Sequence, residues 1–221
     1  GLNAFFSKIY ALMGAGVLVS ALVSWIMITF FLDNMTAILQ SGSLFFLVLW
    51  IIPLVMVVSL QGLAMKNSKM ALPIFIGYAA FMGFLISFTL LMYTATDITL
   101  AFVTAAAMFF GLSVYGRFTK RNLSAMGKAF GVAVWGLIIA MLLNLFFASS
   151  GLTILISLVG VVIFAGLIAW DNQKITQVYN ANNGQVSDGW AISMALSLYL
   201  DFINMFLFLL RLFGIAGGNR D

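Results

Sequence analysis

Trp190–Leu212 reads WAISMALSLYLDFINMFLFLLRL, an apolar run with one acid, Asp201, near its centre. Its length is that of a helix crossing a hydrocarbon core about 30 Å thick, which takes roughly 20 residues. A carboxylate at that depth costs about 2.5–3.5 kcal/mol on insertion scales, so a membrane residue of this kind is a functional candidate by default. The preceding apolar run carries a second acid, Asp171, in Ile163–Ile175 (IFAGLIAWDNQKI). Two acids in successive apolar segments make this pair the first place to look for function.

The composition agrees with a membrane setting. The chain is 64% hydrophobic and 7% charged, with a mean hydropathy of +1.16, whereas globular domains carry about 25% charged residues. There is no cysteine and no histidine, which removes disulfides, thiol chemistry and the commonest general base and transition-metal ligand. All six acids are aspartates: Asp33, Asp97, Asp171, Asp188, Asp201 and Asp221. The net charge of +4 bears on orientation in the bilayer, and nothing points to a nucleic-acid partner.

Seven apolar runs follow one another, at about 9–32, 44–62, 72–93, 98–116, 129–148, 152–178 and 190–212. Residues 1–221 are therefore expected to form a single all-α domain of seven transmembrane helices. The first run is too long for a signal-peptide core and is expected to be a retained helix. Connections are short and carry turn residues, as at Asp33-Asn34, Gln40-Ser41-Gly42-Ser43, Ser149-Ser150-Gly151 and Asn180-Ala181-Asn182-Asn183-Gly184. Gly127 with Gly131, Gly111 with Gly116, and Gly160 with Gly166 are expected on helix-packing faces. Pro53 is a candidate kink in the second run, and Asn144 a candidate interhelical hydrogen-bonding residue.

Basic residues set the expected orientation. With a cytoplasmic N-terminus, the inner side collects Lys8, Lys66, Lys69, Arg117, Lys120, Arg121, Lys128 and Lys174. The outer loops then carry Asp33 and Asp97 and no Lys or Arg, in keeping with the positive-inside rule. Arg211 and Arg220 fall outside if the last run spans; a re-entrant last segment would return the C-terminus to the cytoplasm.

On the last helix Ser197 (i−4) and Asn204 (i+3) share the face of Asp201, an oxygen-bearing stripe expected to point into the bundle. Asp171 has Lys174 at i+3, and a plain ion pair between them near the headgroups would also account for it. Likewise a protonated Asp201 bonded to a neighbouring helix would serve packing alone. If the carboxyls meet, like charge in a low dielectric favours one proton shared between them. Ionised, they would make a transient site for a hard cation such as Ca²⁺, which takes oxygen ligands. Two acids with Ser and Asn oxygens fall short of a tight cage, which suits passage more than storage.

Enzymatic readings find little support. Leu198-Tyr199-Leu200 precedes Asp201, so the Gly-x-Gly-Asp element of intramembrane aspartyl proteases is missing, and no Pro-Ala-Leu follows. Rhomboid serine chemistry needs a histidine. A retinal Schiff base needs a lysine that 190–212 does not contain.

Met194–Asn204 (MALSLYLDFIN), followed by Leu209–Gly214 (LLRLFG), resembles the C-terminal signature of the Bax inhibitor-1 (TMBIM) family, nearest its bacterial YetJ-like members. Trp170–Ile175 (WDNQKI) resembles the acid motif of that family's sixth helix. The resemblance implies six helices surrounding a central seventh. It also implies a pH-sensitive calcium leak of the bacterial cytoplasmic membrane, with no cofactor or enzymatic activity and with Asp171 and Asp201 as paired acids. Its partners would be Ca²⁺, protons and the bilayer. A regulator that binds another membrane protein, such as a membrane protease, is the competing expectation. Two departures stand out. The family's arginine near the inner end of the second helix has Lys66 as its nearest counterpart, and lysine lacks arginine's bidentate fork. The glutamate that some relatives carry in that helix is missing.

Overall fold

Nearly every stretch of this chain is apolar, and in lipid a backbone polar group has to find its partner within the protein. Helices meet that demand locally. The computed structural model describes residues 1–218, without the side chains at 43, 46, 47 and 50. Among the described residues there are eight helices: α1 (Leu2–Phe30), α2 (Leu32–Gln40), α3 (Ser43–Met65), α4 (Ala71–Leu90), α5 (Ala95–Phe118), α6 (Ser124–Phe147), α7 (Ser150–Ala181) and α8 (Asp188–Gly217).

Six of them, α1, α4, α5, α6, α7 and α8, are long and apolar enough to cross a membrane. The described apolar stretch of α3, Ile51–Met65, is shorter. The expectation of seven helices thus becomes eight, of which six are candidate spans among the described residues. The added element is α2, nine residues long, far short of the roughly 20 a crossing needs. Asp33-Asn34 looked like a turn. Instead the break falls at Phe31, with φ −123°, and Asp33 sits in the first turn of α2, where a negative charge complements the helix dipole. Met35 anchors this short helix in the interior, fully buried. Ser149 does break the chain as expected, and its Oγ caps α7 by accepting from the Leu152 N–H at 3.2 Å. Pro53 lies inside α3, which continues past it to Met65.

The chain divides into two compact units. The first holds Gly1–Met92 with Gly184–Tyr199, and the second Tyr93–Asn183 with the chain from Leu200. In the first, α1 packs on α4 and α3 packs on α4. The α1–α4 contact is closed by a repeated bond: Ser20 Oγ donates to the Ala79 carbonyl at 2.7 Å, and one turn on Ser24 Oγ donates to the Gly83 carbonyl at 2.7 Å. Because the Ser20 proton is committed to Ala79, the Tyr199 hydroxyl must be the donor in its 2.5 Å bond to Ser20 Oγ. The Tyr199 ring meets Phe75 and Tyr78 edge to face, each at 6.1 Å, the geometry that ring quadrupoles favour.

In the second unit α5 and α6 both pack on α7. Four of the six glycines expected on packing faces do that work at backbone level or against a large ring: Gly116 lies against the backbone of Ala169, and Gly127 against the Trp170 indole. Gly160 and Gly166 meet Phe208 and Phe130, whereas Gly111 and Gly131 face open space. Burial separates the helices sharply. In α8, 72% of the most apolar window is buried, against 6% in α6. A helix apolar on every face and largely exposed, like α6, suits contact with lipid.

Gly83 tests the α1–α4 contact. A Cβ there would stand 2.5 Å from the Ser20 backbone oxygen, an atom that cannot swing aside. Gly83→Val is expected to cost about 1–3 kcal/mol, as overpacking does, and to lower the thermal midpoint in detergent. Gly77→Ala, with nothing within 4 Å of its Cβ, should leave the midpoint unchanged or raise it.

Candidate functional site: a buried aspartate pair

Four consecutive polar residues, Asp171 to Lys174, interrupt the apolar face of α7. At about 100° per residue they point in four directions, and each finds a different partner. Asn172 Nδ2 donates to Ser113 Oγ of α5 at 3.1 Å and to the Ile168 carbonyl at 2.8 Å. Gln173 holds the α5–α6 connection from both sides. Its Nε2 donates to the Arg121 carbonyl at 2.6 Å, and its Oε1 accepts from the Leu123 N–H at 2.9 Å. These bonds fix the rotation of α7, and that rotation presents Asp171 to α8.

There Asp171 faces Asp201, close enough for the two carboxyls to interact both through charge and through a side-chain hydrogen bond. Both residues are buried, 4% and 6% exposed. Lys174 completes the group: its Nζ lies 3.0 Å from Asp171 Oδ1, and it also acts on Asp201 through its charge. The i,i+3 ion pair thus exists, but its carboxylate is interior and shared with a second acid. Asp201 Oδ2 is buried without a hydrogen-bond partner. An orphaned carboxyl oxygen is where a proton or a cation has most to gain. Among the described residues no group of three or more acids comes together that could hold a metal ion.

The other sequence candidates are placed differently. Asn204 Nδ2 donates to the Leu200 carbonyl at 2.8 Å, and Ser197 Oγ donates to the Ser193 carbonyl at 3.2 Å. Both are thus turned onto the backbone of α8 itself. Lys66 follows the end of α3 and is exposed, in the first unit. Asn144 bonds across the tight α6–α7 turn, with Nδ2 donating to Thr153 Oγ1 at 2.8 Å and Oδ1 accepting from the Ser149 N–H at 3.1 Å. Arg220 lies outside the described residues.

Sequence reasoning missed three polar groupings. At the start of α8, Ser193 Oγ donates to Gln61 Oε1 of α3 at 2.6 Å, and the Gly189 N–H donates to Asn67 Oδ1 at 2.9 Å. Lys8 pairs with Asp188 at the same end. At the far end of α8, Arg211 bonds the Tyr93 hydroxyl; burial raises the Tyr93 pKa above its ordinary value, with Arg211 opposing and Asp97 adding to the shift. The third is the stacking of Lys174 on Trp170, with Nζ 3.9 Å from the ring centroid. None of these is a fixed-spacing motif, so only the fold reveals them.

An all-helical membrane chain with paired acids on its last two long helices is the class that this fold and site define. The family model described as Inhibitor of apoptosis-promoting Bax1 matches residues 2–218. Relatives include the YrjE protein of Lactococcus lactis, 99% identical over all of this chain and 94% of its own length. A membrane protein of Streptococcus pyogenes serotype M3 is 50% identical, with 97% of this chain and 93% of that protein covered. The inner membrane protein YbhL of Escherichia coli is 34% identical over 97% of this chain and 92% of its own length. The chain belongs to the Bax inhibitor-1 family, as the C-terminal motif led one to expect, and is a bacterial membrane protein.

Removing one member of the acid–lysine group should reveal its wiring. Asp171→Asn strands Lys174, and should cost about 1–2 kcal/mol, less than a fully buried pair because the lysine side chain is 30% exposed. Asp201→Asn leaves the Asp171–Lys174 ion pair in place and should cost less. Asp171→Asn combined with Lys174→Gln should cost less than the sum of the two single changes, read as thermal midpoints of the purified protein.

Proposed function

We propose that this chain is a calcium leak of the bacterial cytoplasmic membrane whose opening follows the protonation of the Asp171–Asp201 pair. In this reading α8 is the central helix, the N-terminus is cytoplasmic, and the outer loops lack Lys and Arg. The observation that carries the reading is the meeting of two buried carboxyls from α7 and α8, one with an oxygen lacking any partner. Sharing a proton lowers the cost of burying both acids; losing it leaves two anionic oxygen ligands for a hard cation. A site of so few ligands binds weakly, and weak binding allows release to the far side. Within the first unit Lys8 and Asn67 meet the start of α8, which is compatible with a basic cytoplasmic side.

The test is calcium-dye fluorescence in proteoliposomes across about pH 5 to 8, the range in which a buried carboxyl pair exchanges its proton. Wild type should show a flux that changes with pH. Asp201→Asn keeps the shape and removes the titration, so its profile should flatten, and Asp171→Asn should behave alike, with no further effect in the double variant. Lys66→Ala should matter less. No flux above empty liposomes at any pH would sink the leak and favour a regulator of another membrane protein. Topology is read separately: reporters fused at Arg121 should lie in the cytoplasm, and finding them outside would overturn the orientation.

A further inference from the structure

We infer that Lys174 is a tethered competitor for the cation site: its ammonium occupies Asp171 until a divalent cation displaces it, and Trp170 positions it. This rests on the reading of the acid pair as a cation site and names what sets its selectivity.

Spacing alone would make Asp171 and Lys174 an ordinary helix-surface pair. Three observations make it more. The Asp171 side chain is 6% exposed, so the ammonium reaches inward to a buried carboxylate rather than resting in solvent. The ammonium also sits 3.9 Å from the Trp170 ring centroid, within the range of a cation–π contact. Finally the indole is itself wedged in place, because it fills the space that a side chain at Gly127 would need. Lys174 is thus gripped between a fixed ring and a fixed carboxylate.

One position of the ammonium serves both partners. Displaced from Asp171, it keeps the ring face of Trp170, so its release is not a full loss of partners. The charges balance as well. The groups acting on Asp201 are Asp171 and Lys174, and one ammonium with one shared proton carries the charge of one divalent ion. A divalent cation can replace both at once and leave the buried acids neutralised, whereas a monovalent ion cannot. Lysine rather than arginine suits such a device: a point charge on a flexible stem gives way more readily than a bidentate fork.

Terbium luminescence tests this without relying on transport, since Tb³⁺ takes the oxygen ligands of Ca²⁺ and is sensitised by a nearby tryptophan. In purified protein, Lys174→Gln should bind Tb³⁺ about tenfold more tightly than wild type, the factor that losing a charge-assisted bond of about 1.4 kcal/mol implies. Lys174→Arg, which keeps the competing charge, should bind no more tightly than wild type. Trp170→Phe should abolish the sensitised signal, and Asp171→Asn the binding. Equal terbium affinity in wild type and Lys174→Gln would overturn the inference, as would a signal that survives in Trp170→Phe or binding that survives in Asp171→Asn. A missing calcium flux in liposomes would instead sink the leak while the terbium comparison still stood.

Discussion

A carboxyl buried in a membrane helix has to be neutralised by something that the protein itself supplies, since neither water nor lipid will do it. Asp171 meets that constraint with Lys174, whose ammonium lies 3.0 Å away, and Asp201 faces both groups. The rest of α7 is organised so that this arrangement holds. Asn172 is tied to α5, Gln173 to the α5–α6 connection, and Trp170 seats against Gly127. Each bond is modest, about 0.5–1.5 kcal/mol net, but together they leave α7 little freedom to rotate and carry Asp171 away from α8.

The same constraint explains why α8 is the most buried of the candidate spans. A helix that carries Asp201, Asn204 and two serines cannot face lipid on those sides. Ser197 and Asn204 bond back to preceding carbonyls one turn away. Ser193 and Tyr199 instead reach Gln61 of α3 and Ser20 of α1, and Asp201 meets Asp171 of α7. Aromatic packing then carries the helix: Phe102 and Phe109 meet Phe202 edge to face at 5.7 and 5.8 Å.

Much of this was legible in the sequence, for a definite reason. Apolar runs of spanning length, an acid within one of them and the motif around Asp201 are one-dimensional signals, so helices, membrane class, family and the two acids could be read directly. What could not be read depends on rotation about helix axes. Ser20 and Ser24 look like any small residues until α4 brings Ala79 and Gly83 against them. Ser197 and Asn204 share a face with Asp201 by spacing, yet their hydrogen bonds run along their own helix. Asp33 looked like a turn because aspartate favours turns and helix starts alike, and only the buried Met35 decides for the helix. Lys174 was visible as an i+3 partner, but its seat on Trp170 was not.

Infrared spectroscopy of the carboxyl stretch tests the central claim most directly, because a protonated carboxyl and a carboxylate absorb apart. If Asp171 and Asp201 share a proton, the purified protein at neutral pH should show one protonated-carboxyl band that is lost or shifted in Asp201→Asn and is altered by Asp171→Asn. A neutral-pH spectrum with no protonated carboxyl, or with a band indifferent to both substitutions, would contradict it.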